Sequence, residues 1–316
     1  MTLSANTATD LEAHKHCSTQ RQRFLPIEFC REGRERFGPC RLSHYDLNML
    51  GRLAGSEDRV SEQALKMIYW PLAQHVLASY DQWRTQQSAN AVFCIGISGS
   101  VAVGKSSGAR ILTEMLRRYK SNVNLVTTDH FLKPTAVLEQ EDCLHRKGFP
   151  ESFDEPVIQQ FIEDLNGDTE LITIPTYDHV AYTRIENKLQ TIVRPEIMVL
   201  EGVNVLQRTD LPRQLGIYFH APVQAIERWY IRRFLQFRRQ SFRQPHAYFN
   251  RYAHFSDEAA QAVAHKLWRD INLPNLQEFI APSRHHAACI INKDFDHAIE
   301  SVDMCWSSTH VTTTDL

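Results

Sequence analysis

The chain has 316 residues, of which 43% are hydrophobic and 10% aromatic, so it can bury the core of one large domain or two small ones. Its 35 Lys and Arg residues nearly balance 37 Asp and Glu residues, and the formal net charge of -2 excludes a general attraction to nucleic acid or to an anionic membrane. Any basic site must therefore be local.

Cysteine usage and the N-terminal sequence predict where the protein works. The seven cysteines are scattered and form no CxxC pair, which is typical of reduced thiols rather than of a disulfide framework. The N-terminal segment lacks the apolar stretch of a secretory signal, and no run of about 18 apolar residues that could span a bilayer occurs. The sequence therefore predicts a soluble cytoplasmic protein without a membrane or nucleic-acid partner.

The first part of the chain is polar and then becomes helical. Residues 1 to about 22 predict a disordered tail, and we assign residues 1–40 to this tail and a lead-in. Ser43 and Asp46 predict a helix cap, followed by apolar residues at helical spacing, namely Leu47, Leu50, Leu53 and Ala54. A second helix is predicted from Ser61, kinked or broken at Pro71, with a stripe of Leu65, Ile68, Tyr69, Leu72, Val76 and Tyr80. These helices are expected to cover one side of a sheet over residues 41–90.

The pattern changes after about residue 90. Short apolar runs, each followed by a helix signal, predict a mostly parallel α/β sheet. The predicted strands are 92–97, 123–128, 171–177, 196–201, 216–221 and 288–292. The predicted helices are one ending near Tyr119, one from Asp154 to Gly167, and a long one from about Val223 to Asp270.

The stretch "GSVAVGKS" matches the pattern G-x-x-x-x-G-K-S. Its small residues let backbone N–H groups converge on phosphate oxygens, Lys105 can reach the terminal phosphates, and the Ser106 hydroxyl can ligate Mg²⁺. A chance match in a flexible turn is the alternative, but the stretch follows an apolar strand and opens a helix, as phosphate binding requires. The predicted nucleotide-binding residues are Gly99, Ser100, Val101, Ala102, Val103, Gly104, Lys105, Ser106 and Ser107.

These elements predict a P-loop NTPase-type fold: a mostly parallel sheet flanked by helices in a domain spanning residues 41–316. Residues 223–275 are expected to form a helical lid or substrate region. The segment "ERWYIRRFLQFRRQSFR" within it is rich in arginine and aromatic residues. It could be a solvated basic face, a nucleic-acid surface, or a lid whose arginine meets a transferring phosphoryl group. The acidic overall balance makes nucleic acid the weakest of these.

Two acidic residues end predicted strands at the edge where parallel sheets bind ligands. Asp129 could orient or take the proton of an attacking alcohol, and it could instead cap the next helix. Glu201 suits a position near Mg²⁺, and it could instead be a plain strand-end carboxylate. A metal site at His14, His16 and Cys17 is discounted because no second ligand pair follows. "NKDF" at 292–295 resembles the guanine-reading motif N-K-x-D, but position 295 is Phe instead of Asp, so guanine specificity has no support.

Beyond these local patterns, the chain resembles the bacterial type I pantothenate kinases. The matching segments include "GSVAVGKS", "TTDHFL", "KGFPESFD", "PTYDHVAY", "VLEGVNVLQ", "WYIRRFLQFR", "AYFNRYA" and "LWRDINLPNL", in the expected order from about Arg41 to Asn292. The resemblance implies ATP-dependent phosphorylation of the primary hydroxyl of pantothenate, the first step of coenzyme A synthesis. It also implies Mg²⁺ as cofactor and a homodimer that coenzyme A inhibits by competing with ATP.

The resemblance also implies roles for individual residues. Asp129 matches the catalytic aspartate, Lys105 and Ser106 the P-loop lysine and serine, Glu201 the metal-side acid, and Arg233 the arginine that stabilises transferred charge. The residues matching pantothenate contacts are Tyr177, His179, Tyr230, Arg233, Phe249 and Asn272. Those matching coenzyme A contacts are Arg110, Lys147, His179 and Phe237.

Four features depart from the family pattern. His130 stands where Gly is usual, Asp178 replaces a small polar residue, Arg232 replaces Asn, and the connection from Leu206 to Gly216 is short. His130 is expected to crowd or retune the site, and Asp178 to add negative charge near an anionic substrate. Two alternatives therefore stay open. One is a P-loop kinase of another small alcohol, related to uridine kinase or phosphoribulokinase or acting on a pantoyl metabolite. The other is a nucleotide- or coenzyme A-gated binding protein.

Overall fold

The computed structural model describes residues 21–53 and 60–304, beginning with a short strand, β1 (Gln22–Phe24). Two helices follow, α1 (Pro26–Phe37) and α2 (His44–Arg52). Residues 22–37 were expected only as tail and lead-in, and both β1 and α1 are additions to that prediction. Three residues are too few to show strand alternation, and α1 buries only Phe29, Cys30 and Gly33, so its apolar stripe is faint. The remainder of the predicted tail, residues 1–20, lies outside the described residues.

The predicted caps and stripe of the N-terminal helices are confirmed. The Asp46 N–H donates to Ser43 Oγ at 3.2 Å, and the Ser43 N–H donates to Asp46 Oδ2 at 2.9 Å. The second helix runs through Glu62–Ala64, a π-helical turn at Leu65–Tyr69 and α3 (Trp70–Arg84). The helix is not broken at Pro71. The wider turn just before Pro71 accommodates the missing N–H, and the six predicted stripe residues are all buried. Ala54, predicted in the first stripe, lies outside the described residues.

The remaining elements are strands and helices in a mixed α/β order, of which the first are joined as strand–helix units and the later ones also follow one another directly. They are β2 (Phe93–Gly99), α4 (Lys105–Leu116), β3 (Val123–Thr127), α5 (Thr135–Gln140), α6 (Glu155–Asn166), β4 (Leu171–Asp178), β5 (Thr183–Val193), β6 (Ile197–Glu201), β7 (Leu215–His220), α7 (Val223–Arg239), α8 (Asp257–Leu267), β8 (Cys289–Lys293) and β9 (Ile299–Met304). The main sheet has the order β1-β9-β8-β7-β2-β6-β3. Strands β8, β7, β2, β6 and β3 are parallel, which confirms the predicted fold class. Strand β2 is central and fully buried.

The stretch 171–177 does not join this sheet, contrary to the prediction. It forms β4, which pairs only with β5 as an antiparallel hairpin within the described residues. Along β4 the residues alternate, with Ile172 and Ile174 buried and Leu171 and Thr173 exposed. This alternation is typical of a strand with one buried face, whereas a parallel strand covered on both faces is apolar throughout.

The predicted long helix at 223–270 is two helices. Between α7 and α8 the chain makes 3₁₀ turns at Ser241–Arg243 and Asn250–Tyr252. Pro245, which has no N–H, lies in this connection. Arg238 fastens the two helices by donating to the Asp257 carboxylate and to the Phe255 carbonyl. Within residues 21–53 and 60–304, every helix is too short or too polar to cross a lipid bilayer.

Candidate active site

The predicted phosphate loop has the strand–loop–helix geometry that phosphate binding requires. It links the carboxyl end of β2 to the first residue of α4, whose N-terminal N–H groups have no partner within the helix. Gly104 has a φ of +94°, a conformation that favours glycine. A Cβ at this position would lie 2.6 Å from Lys293 Nζ. The loop therefore brings backbone donors and a second lysine to one place.

Lys105 and Glu201 form an ion pair at the same edge of the sheet. Lys105 Nζ lies 3.4 Å from Glu201 Oε1, and the two side chains are only 12% and 8% exposed. Glu201 ends β6, where it is the register partner of Ile97 on β2 and of Thr127 on β3. The carboxylate is therefore more than a plain strand-end charge, because it holds the P-loop lysine beside the next strand.

Two buried hydroxyls near this pair have no hydrogen-bond partner among the described residues. They belong to Ser100, in the loop, and to Thr128, immediately before Asp129, and both residues are almost fully buried. A bound phosphate would supply the acceptors that such groups need. The Ser106 hydroxyl and the Glu201 carboxylate are hard oxygen donors, which fit Mg²⁺. Among the described residues, no group of three or more His, Cys, Asp or Glu side chains is arranged to hold a metal ion.

Asp129 lies in a 3₁₀ turn directly after β3. Its N–H donates to Thr127 Oγ1 at 3.5 Å, and its side chain is 40% exposed. The cap of this turn is Thr127, and α5 is preceded by Pro134, so Asp129 does not cap the next helix. Its carboxylate lies close to the imidazole of His179, with Nδ1 3.7 Å from Oδ2.

The predicted pantothenate contacts lie partly on the hairpin, close to Asp129, and partly on the lid. The ring of Tyr177 packs edge-on against His179 with centroids 5.1 Å apart. On the lid, Tyr230 is hydrogen-bonded to the Asn272 side chain, and burial raises the pKa of the Tyr230 phenol. The negative charge of Asp129 helps raise the pKa of Tyr177, after the larger effect of burial. Side chains from β3, β4 and α7 thus converge on one region.

Phe249 and Arg233 lie on the lid side of this region. Phe249 belongs to an aromatic cluster and lies 5.1 Å from Tyr182 and 4.9 Å from Tyr248, between ring centroids. The Arg233 guanidinium is 5.6 Å from the Phe237 ring centroid, and its positive charge acts on Tyr230. Phe249 is thus placed where it could form an apolar wall, and Arg233 where it could supply a positive charge. Contact of either residue with a substrate stays a prediction.

Lys147 is more enclosed than a surface ligand contact would be. Only 6% of the residue is exposed, and its ammonium donates to Thr135 Oγ1 at 3.0 Å and to the Tyr182 carbonyl. The ammonium also lies 3.8 Å from the Tyr182 ring centroid. Burial lowers the pKa of Lys147 to about 8, against the opposing effect of Asp129.

The other three predicted coenzyme A contacts are accessible, and the side chain of His179 is 68% exposed. Arg110 is exposed on α4 and donates to the Leu53 carbonyl at 3.2 Å. The side chain of Phe237 lies on the lid, and the residue is 37% exposed. Contact of any of these residues with coenzyme A stays a prediction.

Sequence reasoning missed two residues of the site. Lys293 lies at the end of β8 beside Gly104, although its "NKDF" segment by itself suggests only guanine recognition. Tyr182 joins Lys147 to the lid aromatics. A lysine ending an apolar strand was a usable signal for the first, whereas Tyr182 lies in a turn whose position depends on the hairpin.

Comparison with known proteins fixes the family. Over 286 residues the chain is 42% identical to a pantothenate kinase of Sorangium cellulosum (strain So ce56), which spans 84% of this chain and 92% of that protein. The chain belongs to the pantothenate kinase family. A pantothenate kinase of Corynebacterium aurimucosum is 38% identical over 275 residues, spanning 81% of this chain and 89% of that protein.

Broader comparisons place the pantothenate kinase fold among P-loop kinases. Residues 94–222 match the model of the phosphoribulokinase/uridine kinase family. A solved structure of D-glycerate 3-kinase from Cryptococcus neoformans superposes with a TM-score of 0.55 at 11% identity, covering 75% of this chain and 99% of that chain. At this identity the likeness shows the fold alone.

His130, a departure from the pantothenate kinase pattern, points into the hairpin. Its Nδ1–H donates to the Pro175 carbonyl at 2.8 Å, and its Nε2 lies 3.4 Å from Gln190 Nε2, which can donate to it. Burial lowers the pKa of His130, which favours this neutral form. The imidazole therefore links the turn after β3 to β4 and β5, and crowding or retuning of the space beside Asp129 stays a prediction.

Asp178, the second departure, is tied into the turn between the hairpin strands. Its Oδ1 accepts hydrogen bonds from the N–H groups of Val180 at 2.7 Å and Ala181 at 3.1 Å. These bonds, the one from Ala181 most, lower the pKa of the Asp178 carboxyl. Its charge thus shapes the turn that presents His179.

Proposed function

We propose that the protein transfers the γ-phosphoryl group of ATP to the primary hydroxyl of pantothenate, the step that begins coenzyme A synthesis. One observation carries the proposal: Lys105, Glu201 and Asp129 lie at the carboxyl edge of three neighbouring strands, β2, β6 and β3, within a chain that is about 40% identical to pantothenate kinases over most of its length. A sensor of nucleotides would need the phosphate loop but not a carboxylate base beside it.

Each of these groups has a role in the transfer. The ammonium of Lys105 and the N-terminus of α4 hold the β- and γ-phosphates. Ser106 and Glu201 would hold Mg²⁺, which neutralises phosphate charge when bound. Asp129 accepts the hydroxyl proton as the oxygen attacks phosphorus. Arg233 stabilises the charge on the phosphoryl group in flight.

Pantothenate has hydroxyls, an amide and one carboxylate, and the surrounding side chains match those groups. Tyr177, Tyr230 and Asn272 offer neutral hydrogen bonds, which suit the hydroxyls and the amide. His179 adds a group that can carry positive charge, and Phe249 gives an apolar wall near the distal end. Because His130 and Asp178 are bonded within the hairpin, neither departure argues against this acceptor.

We further propose the regulation and assembly that the family resemblance implies. Coenzyme A would inhibit by competing with ATP, in contact with Arg110, Lys147, His179 and Phe237. The protein would act in the cytoplasm as a homodimer, with residues 41–316 as the kinase domain.

A transfer assay tests the proposal directly. Purified protein is given labelled ATP, Mg²⁺ and either pantothenate, uridine, ribulose 5-phosphate or D-glycerate, each with and without coenzyme A. Pantothenate should be phosphorylated with a kcat/KM at least about 100-fold above any other alcohol, and coenzyme A should raise the apparent KM for ATP. Preferred transfer to another alcohol would establish a different kinase, and tight ligand binding with no transfer would establish a binding protein.

A further inference from the structure

The outer face of α7 carries arginines that the reaction does not use. Arg228, Arg232 and Arg239 recur four and seven positions apart, so they share one side of the helix. Tyr230 and Arg233, which belong to the active site, occupy the other side. The three arginines line a surface cavity of about 400 Å³ together with Gln261 from α8. This face includes Arg232, which departs from the family pattern.

The cavity has the lining of an anion site. Besides the guanidinium groups it presents three carboxamides, those of Gln236, Gln240 and Gln261, over a floor of Ile231 and Leu235. In residues 21–53 and 60–304, no carboxylate belongs to the lining.

The charges of this lining are largely unbalanced. Arg239 is paired with Asp257, at 2.7 Å from Oδ2, on the α8 side. Arg228 and Arg232 make no hydrogen bond or ion pair with any other described residue. The nearby Glu227 carboxylate lies instead 3.2 Å from His265 Nδ1. Two cations one helical turn apart repel each other, and a bound anion would remove that repulsion.

We propose that this cavity binds a small, multiply charged phosphate anion. The planar fork of a guanidinium matches two phosphate oxygens at once, and the carboxamides can donate to the remaining ones. The volume suits a small molecule, and the acidic overall balance of the chain disfavours a long polyanion. Inorganic pyrophosphate and a phosphate ester share this chemistry. The proposal does not depend on which alcohol the kinase phosphorylates.

The test uses full-length protein whose P-loop is saturated with Mg²⁺ and a non-hydrolysable ATP analogue, because a free P-loop would also bind phosphate. Inorganic pyrophosphate and glycerol 3-phosphate are then titrated by calorimetry in low salt. Wild-type protein should bind about one equivalent. R228Q/R232Q should bind at least tenfold more weakly, and R228K/R232K should fall between the two.

The matched control is R31Q/R34Q, which removes the same charge from exposed positions on α1. It should bind within twofold of wild type, and circular dichroism should show that all variants are folded. No additional binding with the P-loop filled, or equal weakening in R31Q/R34Q, would overturn the proposal. So would tighter, arginine-dependent binding of a single-stranded RNA oligonucleotide, since the face would then be a nucleic-acid surface. If only pyrophosphate binds, the cavity accepts an inorganic phosphate anion. If glycerol 3-phosphate binds as well, the cavity also accepts phosphate esters.

Discussion

His179 Nδ1 lies 3.7 Å from Asp129 Oδ2, across the gap between the hairpin turn and the end of β3. This separation exceeds a hydrogen bond, so the Asp129 carboxylate keeps its capacity to accept a proton from a substrate hydroxyl. When the imidazole carries a proton, it is near enough to stabilise the negative charge of the carboxylate.

Replacing Asp129 separates chemistry from nucleotide binding. Asp129→Ala should lower kcat by about 10²–10⁴, the range expected for loss of a general base, while the Kd for an ATP analogue changes less than about twofold. Asp129→Asn, which keeps the shape without the charge, is the matched variant. Single-turnover kinetics and calorimetry measure the two quantities, and wild-type turnover in either variant would remove Asp129 from its role.

Lys147 should give the pH–rate profile its alkaline limb. Its pKa is lowered to about 8, so the ammonium is charged at pH 7 and loses its proton as the pH rises through 8. Loss of this proton removes the positive charge of Lys147 that acts on Asp129. We expect kcat/KM of the wild type to fall above pH 8, and Lys147→Met to be slower at pH 7 but flat from pH 7 to 9. The control is Lys133→Met, which removes a half-buried lysine that is paired with Glu141. This variant should still lose kcat/KM above pH 8.

His130 should act on substrate binding through the hairpin. Removing its two hydrogen bonds by His130→Gly should lower the free energy of unfolding by about 1–3 kcal/mol and raise the KM for pantothenate more than it lowers kcat. A double-mutant cycle with Gln190→Ala measures the coupling by urea unfolding. Additive effects of the two substitutions would show that the contact at 3.4 Å does not stabilise the hairpin.

His75 should make stability fall in acid. Burial first, and then the charge of Arg36, lower its pKa to about 4, whereas the unfolded chain binds this proton near 6.5. The stability is therefore complete above pH 6.5 and is lost as the pH falls towards 4, by about 3 kcal/mol. Urea unfolding should show this loss in the wild type and a smaller one in His75→Gln. Equal pH dependence in both would contradict the assignment.

Gly108 should not tolerate a side chain. An added Cβ would overlap the ring of Phe219, which is only 2% exposed and cannot move aside. Alanine gains up to about 1 kcal/mol of helix propensity, but overpacking costs about 1–3 kcal/mol, so Gly108→Ala should be destabilised by about 1–2 kcal/mol. Adding Phe219→Leu should recover part of the loss in thermal unfolding, and no recovery would place the strain elsewhere.

The parts of the fold that follow local rules were predictable. The P-loop is a contiguous pattern between a strand and a helix, and Asp129 and Glu201 end apolar runs, so their meeting at one sheet edge follows from parallel pairing. The hairpin was not predicted as such, because β5 alternates weakly and most of its residues are exposed. Which strand β4 pairs with is a non-local choice that no single segment encodes.

The sequence also does not show which distant residues the strand order brings together. Lys293 reaches Gly104 only because β8 and β2 both flank β7, although 188 positions of the 316-residue sequence separate the two residues. The hydrogen bonds of His130 depend on Pro175 and Gln190, which lie 45 and 60 positions away from it in the chain. A bulky residue in place of glycine predicts crowding or retuning of the site, but its partners on the hairpin follow from the fold and not from the neighbouring sequence.

The pairing of β1 with β9 constrains the order in which the strands can pair while the chain is being synthesised. Arg23 and Asp303, bonded across this edge, are 280 positions apart. Among the described strands, the one that is synthesised first therefore finds its neighbour only when the one that is synthesised last has been made. Until then the edge of β8 that β9 will cover is open to other chains. The helices α1 and α3, which pack against each other, are close in the chain and can meet long before that edge is covered.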